Sequence, residues 1–368
     1  MKKILYITHL SGKRVNRFWI SAIYAAQALG YEFHLACNMT GAEHPAWEEG
    51  CKKYGIITHQ IDFNRNPLSP QNIKAQKQLT KLLKEGFDVV HCNTPVGGLV
   101  GRISAKKAKI PKIIYQAHGF HFWKGAPLHN WLLYYPVERL MAHKTDVLIT
   151  INQEDYERAK KFRAKRVVYV SGVGIDTDLF SGHNNRVDAL RNELGIPKDA
   201  FVILSVGELI TRKNHQTVIE ALKDINDVWY VICGLGPLHD ELVELTKSLG
   251  MNDRVILTGY RTDVMDFYSM ADLFVFPSYQ EGLPVALLEA MSSGLPCVVS
   301  EIRGNTDLIK NESLRFSPNS RDELKKIILR EKKDQKSLSE QGLINREIVK
   351  DYSIKVVVEE LKKIYSDS

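Results

Sequence analysis

Along this chain short apolar runs alternate with longer amphipathic stretches, and that alternation restricts the fold more than any other feature. In the first half the runs are 4–8, 32–36, 56–61, 89–92, 112–117, 147–151 and 166–170. Helix-like segments at 19–29, 73–84 and 131–141 lie between several of them. Strands spaced by helical periods build βαβ units and a parallel sheet. The pattern restarts after a turn-rich stretch at 171–185. Strand-like runs at 201–206, 229–233, 255–257, 273–276 and 296–300 then alternate with helical stretches at 215–222, 239–249, 265–270 and 285–291. Charged helices at about 321–329 and 354–365 close the chain. The expected fold class is α/β, with two doubly wound, Rossmann-like domains. A length of 368 residues agrees, being long for one core and natural for two. Ligands of such sheets bind outside the carboxyl ends of the strands, so the residues after each strand are the candidates for function.

Composition narrows the classes further. Residues 1–180 hold 26 Lys+Arg against 14 Asp+Glu, whereas the remainder holds 24 against 29. A basic first half suits an anionic partner: a phospholipid surface, a lipid-linked phosphate or nucleic acid. A solvated basic face without a partner fits the same counts. No zinc-finger spacing or RNP-like signature is present, so a nucleic-acid partner is not expected. No apolar run is long enough to span a bilayer. The opening MKKILYITHL reads as a first buried strand of a cytoplasmic protein rather than a signal peptide. The cysteines at 37, 51, 92, 233 and 297 are scattered and form no C-x-x-C pair, which predicts buried free thiols.

Residues 278–289 read SYQEGLPVALLE. A strand ends in a loop with Glu281 and Gly282, and Pro284 opens a helix, a position where its missing N–H costs nothing. Free amides of the first turn, including those of Leu283 and Val285, and the positive helix end suit a diphosphate. Gly282 permits close backbone approach. Glu281 and Glu289 can address a sugar and a ribose respectively. A loop charge at Glu281 and a solvated helix residue at Glu289 is the competing reading.

This segment resembles the E-x7-E signature of family 4 glycosyltransferases, retaining enzymes of the GT-B fold, and the likeness runs over most of the chain. The resemblance implies that Glu281 lies near the transferred sugar and Glu289 binds the donor ribose. Its continuation, SSGLPCVVSEIRG, matches as well. In VGELITRKNH, residues 206–215, relatives carry an arginine after the glycine and a lysine five residues later, both holding the diphosphate. Lys213 matches the lysine, but Glu208 follows Gly207 where the arginine is expected. A carboxylate does not hold a phosphate; either Arg212 compensates or Glu208 orients Lys213. In YQAHGFHFW, residues 115–123, His118 matches a histidine that touches the sugar near the reacting carbon. His118 and His121 lack a third ligand for zinc.

Weaker signals complete the set. Gly12 marks the loop where relatives place two glycines under the diphosphate. Arg14, Arg17, Phe18 and Trp19 mix basic and aromatic groups suited to an acceptor with phosphate and lipid parts; core aromatics are the alternative for the last two. The D-x-D at Asp176 and Asp178 reads as a turn or cap, not a metal site. Gly234 and Gly236 in GLGP, with Tyr260, are expected to line the nucleotide pocket.

The resemblance implies an acceptor-binding domain at 1–172 that includes a returning helix at about 352–368, a nucleotide-sugar domain at 173–351, and chemistry in a cleft between them. The expected reaction moves a sugar, from a UDP-sugar in preference, to a lipid-diphosphate-linked or oligosaccharide acceptor with retention and no required metal or other cofactor. Residues 118–140 resemble transferases of bacterial capsule or exopolysaccharide assembly, which work at the cytoplasmic face of the membrane. A nucleotide-sugar 2-epimerase of the same fold and a non-catalytic sugar-binding protein are the alternatives.

Overall fold

The computed structural model describes residues 2–42, 44–180 and 186–367. The end of the turn-rich stretch expected at 171–185, namely 181–185, lies outside the described residues. The chain divides into two compact units, Met1–Gly174 with Ile354–Ser368, and Ile175–Ser353.

In the first unit the strands are β1 Lys3–Leu10, β2 Glu32–Asn38, β3 Ile57–Gln60, β4 Val89–Asn93, β5 Lys112–Ala117, β6 Val147–Thr150 and β7 Arg166–Tyr169. The helices between them are α1 Ile20–Ala28, α2 Pro45–Lys53, α3 Gln71–Leu83, α4 Pro95–Lys107, α5 Leu128–Ala142 and α6 Gln153–Ala159. The sheet is parallel, in the order β3-β2-β1-β4-β5-β6-β7. Ile4 and Tyr6 enter one core, Leu5 and Ile7 the other. Both faces of β1 are therefore covered, which is why it reads as an unbroken apolar run.

The second unit repeats this logic. Short helices α7 Thr177–Phe180 and α8 Val187–Glu193 lead into β8 Phe201–Val206, α9 His215–Ala221, β9 Val228–Cys233 and α10 His239–Ser248. Then come β10 Val255–Gly259, α11 Val264–Met270, β11 Leu273–Phe276, α12 Val285–Ser292 and β12 Cys297–Ser300. The unit ends with α13 Asn305–Leu308, β13 Arg315–Phe316, α14 Arg321–Glu331 and α15 Gln335–Val349. Its parallel sheet runs β10-β9-β8-β11-β12-β13. The last helix, α16 Ile354–Ser366, belongs to the first unit. Val357, Leu361, Ile364 and Tyr365 recur at helical spacing and pack with Ile4 and Tyr6. The Tyr365 hydroxyl lies 2.7 Å from His91 Nδ1.

In each sheet the connections reverse direction at one place, between β1 and β4 and between β8 and β11. Loops after these strands part from one another and leave a crevice for a ligand. Helix α4 is hidden in the sequence because Gly97, Gly98 and Gly101 interrupt its helical signal. They are there for contact: a Cβ at Gly98 would strike the Tyr115 ring, and one at Gly101 the Cys92 sulfur. All five cysteines are free and buried.

Candidate active site

In the second unit the crevice loops carry opposite charges that meet. Lys213 ends a 3-10 turn after β8, and Glu281 lies in the loop between β11 and α12. Glu281 Oε1 accepts hydrogen bonds from Arg212 Nη1 and from Lys213 Nζ, each at 2.8 Å. Arg212 Nη1 also donates to the Gln280 carbonyl at 2.9 Å, and Arg303 Nε to the Glu281 carbonyl at 2.9 Å. Lys213 Nζ stands 4.7 Å from the centre of the Phe276 ring. Asn214 turns the chain from this loop into α9 in a left-handed conformation and ties it down, donating to the Pro277 and Pro318 carbonyls. One carboxylate facing two cations leaves a surplus positive charge, which is what a diphosphate needs.

Other sequence candidates fall into distinct places. Pro284 is the N-cap of α12, and Leu283 before it is buried. Val285 opens the helix, whose first-turn amides have no intrahelical acceptor. The Gly282 carbonyl packs under Gly304, where a Cβ would collide with it. Glu289 is not a solvated helix residue: it is 5% exposed, and its Oε2 accepts from the Tyr268 hydroxyl at 3.0 Å. Glu208 is exposed, and the Lys213 ammonium pairs with Glu281. A Cβ at Gly207 would meet the Lys213 chain at 3.3 Å. Gly234 and Gly236 have a packing reason: side chains there would collide with the Gly207 and Leu209 carbonyls of the adjoining loop. Tyr260 is exposed just beyond β10. Asp176 Oδ1 accepts the Leu179 amide at 3.2 Å, so this half of the D-x-D is a helix cap. Among the described residues no group of three or more His, Cys, Asp or Glu is placed to hold a metal ion.

In the first unit a cavity of about 370 Å³ opens at the ends of β1, β4 and β5. His118 lines it, with Nε2 2.9 Å from Asn93 Oδ1. Burial pushes the imidazole pKa down to about 4, so the ring is neutral near pH 7. Nε2–H is the donor to Asn93 by this network, and buried Nδ1 has no protein partner. Phe18 meets His118 edge-on at 6.1 Å, and His121 stacks on Tyr134 at 4.5 Å. Gly12, Arg14 and Arg17 are exposed in the segment after β1. Trp19 is buried and packs against Tyr6 and Trp47, and it also contributes to the cavity wall.

Sequence reasoning missed the polar group in the cavity wall. Glu138 of α5 accepts from the Tyr115 hydroxyl and from Arg102 Nη2, both at 2.9 Å. Arg102 is 1% exposed, covers the Tyr115 ring at 3.8 Å and donates from Nε to the Gly98 carbonyl. The available signal was a single acid and a single arginine set in otherwise apolar or glycine-rich helices.

Two doubly wound units with charged groups gathered at the second sheet's crevice define a GT-B glycosyltransferase. The family signature "Glycosyltransferase Family 4" matches residues 15–179, and "Glycosyl transferases group 1" matches 186–348. EpsD of Bacillus subtilis is 36% identical over 77% of this chain and 74% of its own length. An Escherichia coli UDP-Gal:alpha-D-GlcNAc-diphosphoundecaprenol alpha-1,3-galactosyltransferase is 34% identical over 71% of this chain and 73% of its own. The chain belongs to glycosyltransferase family 4. Its fold is shared with Anabaena HepE, solved in complex with UDP, at a TM-score of 0.81 and 20% identity over the whole of both chains.

Proposed function

We propose that this glycosyltransferase moves a sugar from a UDP-sugar to a lipid-diphosphate-linked acceptor of a bacterial surface polysaccharide, with retention of configuration. The observation that carries the reading is the contact of Arg212 and Lys213 with Glu281. Its surplus cation fits a nucleoside diphosphate, and its carboxylate fits sugar hydroxyls. The Escherichia coli relative, named for a UDP-sugar donor and a diphosphoundecaprenol acceptor, supports both substrates.

The second unit, Ile175–Ser353, binds the donor. Lys213 and Arg212 hold the diphosphate, helped by first-turn amides of α12, while Gly207, Gly234 and Gly236 keep that crevice wall thin. Glu289 takes the ribose hydroxyls and Glu281 the sugar. The first unit, Met1–Gly174 with the returning helix, receives the acceptor near Arg14, Arg17 and Phe18. Its cavity presents His118 to the sugar as a neutral hydrogen-bonding group. In the reaction the C1–O bond to the diphosphate breaks while a C1–O bond to the acceptor hydroxyl forms on the same face. The hydroxyl proton passes to the departing phosphate oxygen. Charge grows on that diphosphate, and fixed cations stabilise it more than the ground state. Such an acceptor places the enzyme at the inner face of the cytoplasmic membrane as a peripheral protein.

The test is a panel of UDP- and GDP-sugars, each with and without a lipid-diphosphate sugar. Acceptor-dependent release of UDP supports the reading. Donor binding without release across the panel contradicts it.

A further inference from the structure

Helix α5 is apolar on the side that faces water. Leu128, Leu132, Leu133, Val137 and Leu140 are between 39% and 73% exposed, and they share one helical face. That face also carries Pro136, His129, Arg139 and His143, all exposed. It carries no acid, because Glu138, the single carboxylate of the helix, turns inward to Arg102. Surface helices of water-soluble proteins place polar groups outward, and a contiguous apolar patch of this kind marks an interaction surface. Lys124, exposed just ahead of the helix, extends the cationic flank.

We infer that the outer face of α5 is the membrane-docking surface and inserts its leucines into an anionic lipid bilayer. The occupant follows from the chemistry. Aliphatic side chains with cationic neighbours and no carboxylate match acyl chains beneath anionic headgroups. The excess of basic over acidic residues in 1–180 adds long-range attraction. The opposite side of the same helix supplies Tyr134 and Glu138 to the cavity holding His118. Docking through α5 therefore brings that cavity to the bilayer, where a lipid-linked acceptor presents its sugar. This inference rests on the lipid-linked acceptor reading.

The experiment is flotation of the full chain with vesicles of equal parts phosphatidylglycerol and phosphatidylcholine, and with vesicles of phosphatidylcholine alone. The intact protein is expected to float with the anionic vesicles. The double substitution Leu132→Ser and Leu140→Ser is expected to lower partition at least about tenfold with the thermal midpoint unchanged. Arg139→Glu is expected to lower it about tenfold on the anionic vesicles only. An environment-sensitive dye on Leu132→Cys should shift to the blue on binding, and the same dye on Leu343→Cys, exposed on α15, should not. Unaltered binding by the double variant, or equal shifts at both labels, overturns the assignment to α5 while leaving membrane association intact. No vesicle binding by the intact chain overturns membrane association and this inference together. Self-association that the double variant abolishes, without vesicle binding, assigns the face to a second copy instead.

Discussion

Lys213 Nζ lies 2.8 Å from Glu281 Oε1, joining the loop after β8 to the loop after β11 across the crevice of the second sheet. Arg212 reaches the same oxygen. The carboxylate holds both cations in position before any donor arrives, so less ordering is left for binding. It also competes with a phosphate for them. Glu281 is thus a partner in the free enzyme and, in the proposed reaction, a sugar contact in the loaded one.

That competition separates the two residues experimentally. Lys213→Ala should weaken UDP binding by roughly tenfold to a hundredfold, the loss of one charged hydrogen bond. Glu281→Gln should bind UDP at least as tightly as the parent while kcat falls about a hundredfold. Calorimetry with UDP and initial rates read the two effects. Equal weakening of UDP by both substitutions would mean that Glu281 only supports the loop.

Glu208 stands exposed beside this loop without an ion pair. Glu208→Arg should tighten UDP binding by about threefold to tenfold, because it exchanges repulsion for attraction in a solvent-screened position. Titration at low and high salt checks it, the gain shrinking with salt. An unchanged affinity would show that this position does not feel the diphosphate.

His118 is neutral because burial lowers its pKa to about 4. The profile of kcat against pH should therefore show no histidine inflection between about pH 5.5 and pH 8. His118→Ala should lower kcat by about a hundredfold with little change in UDP affinity. An inflection near pH 6.5 that disappears in the variant would instead make His118 an ionising group.

His91 bears on stability rather than rate. It lies on β4, fully buried against Tyr365, and burial lowers its pKa to about 3. In the unfolded chain it titrates near 6.5. Between these values the unfolded state binds the extra proton, so stability is full above about pH 6.5 and declines as pH falls toward 3. The slope from this residue reaches about 1.4 kcal/mol per pH unit. Urea unfolding at about pH 7 and about pH 5 should show a smaller difference for His91→Gln than for the parent. Identical differences would contradict the assignment.

The alternation of strand and helix signals was legible because both faces of each sheet are covered, so runs such as that of β1 stay apolar throughout. The charged site loops were legible from turn and helix-start chemistry around Pro284, and Lys213 and Glu281 lie together at the carboxyl ends of neighbouring strands. What was hidden depends on contacts between distant residues. Three glycines disguised α4, and their purpose is close approach, Gly97 to Thr94 and Thr8, Gly98 to Tyr115 and Gly101 to Cys92. The union of Arg102, Tyr115 and Glu138 spans three elements with no local signal. For Trp19 both a core and a binding place stayed open, because a sequence does not show which side of a short 3-10 turn faces the core.

The most direct measurement is the mass and anomeric configuration of the lipid product formed from a UDP-sugar and a lipid-diphosphate-linked acceptor. The account predicts an acceptor heavier by one sugar, bearing the anomeric configuration of the donor. An unaltered acceptor despite UDP release, or a product of inverted configuration, would contradict it.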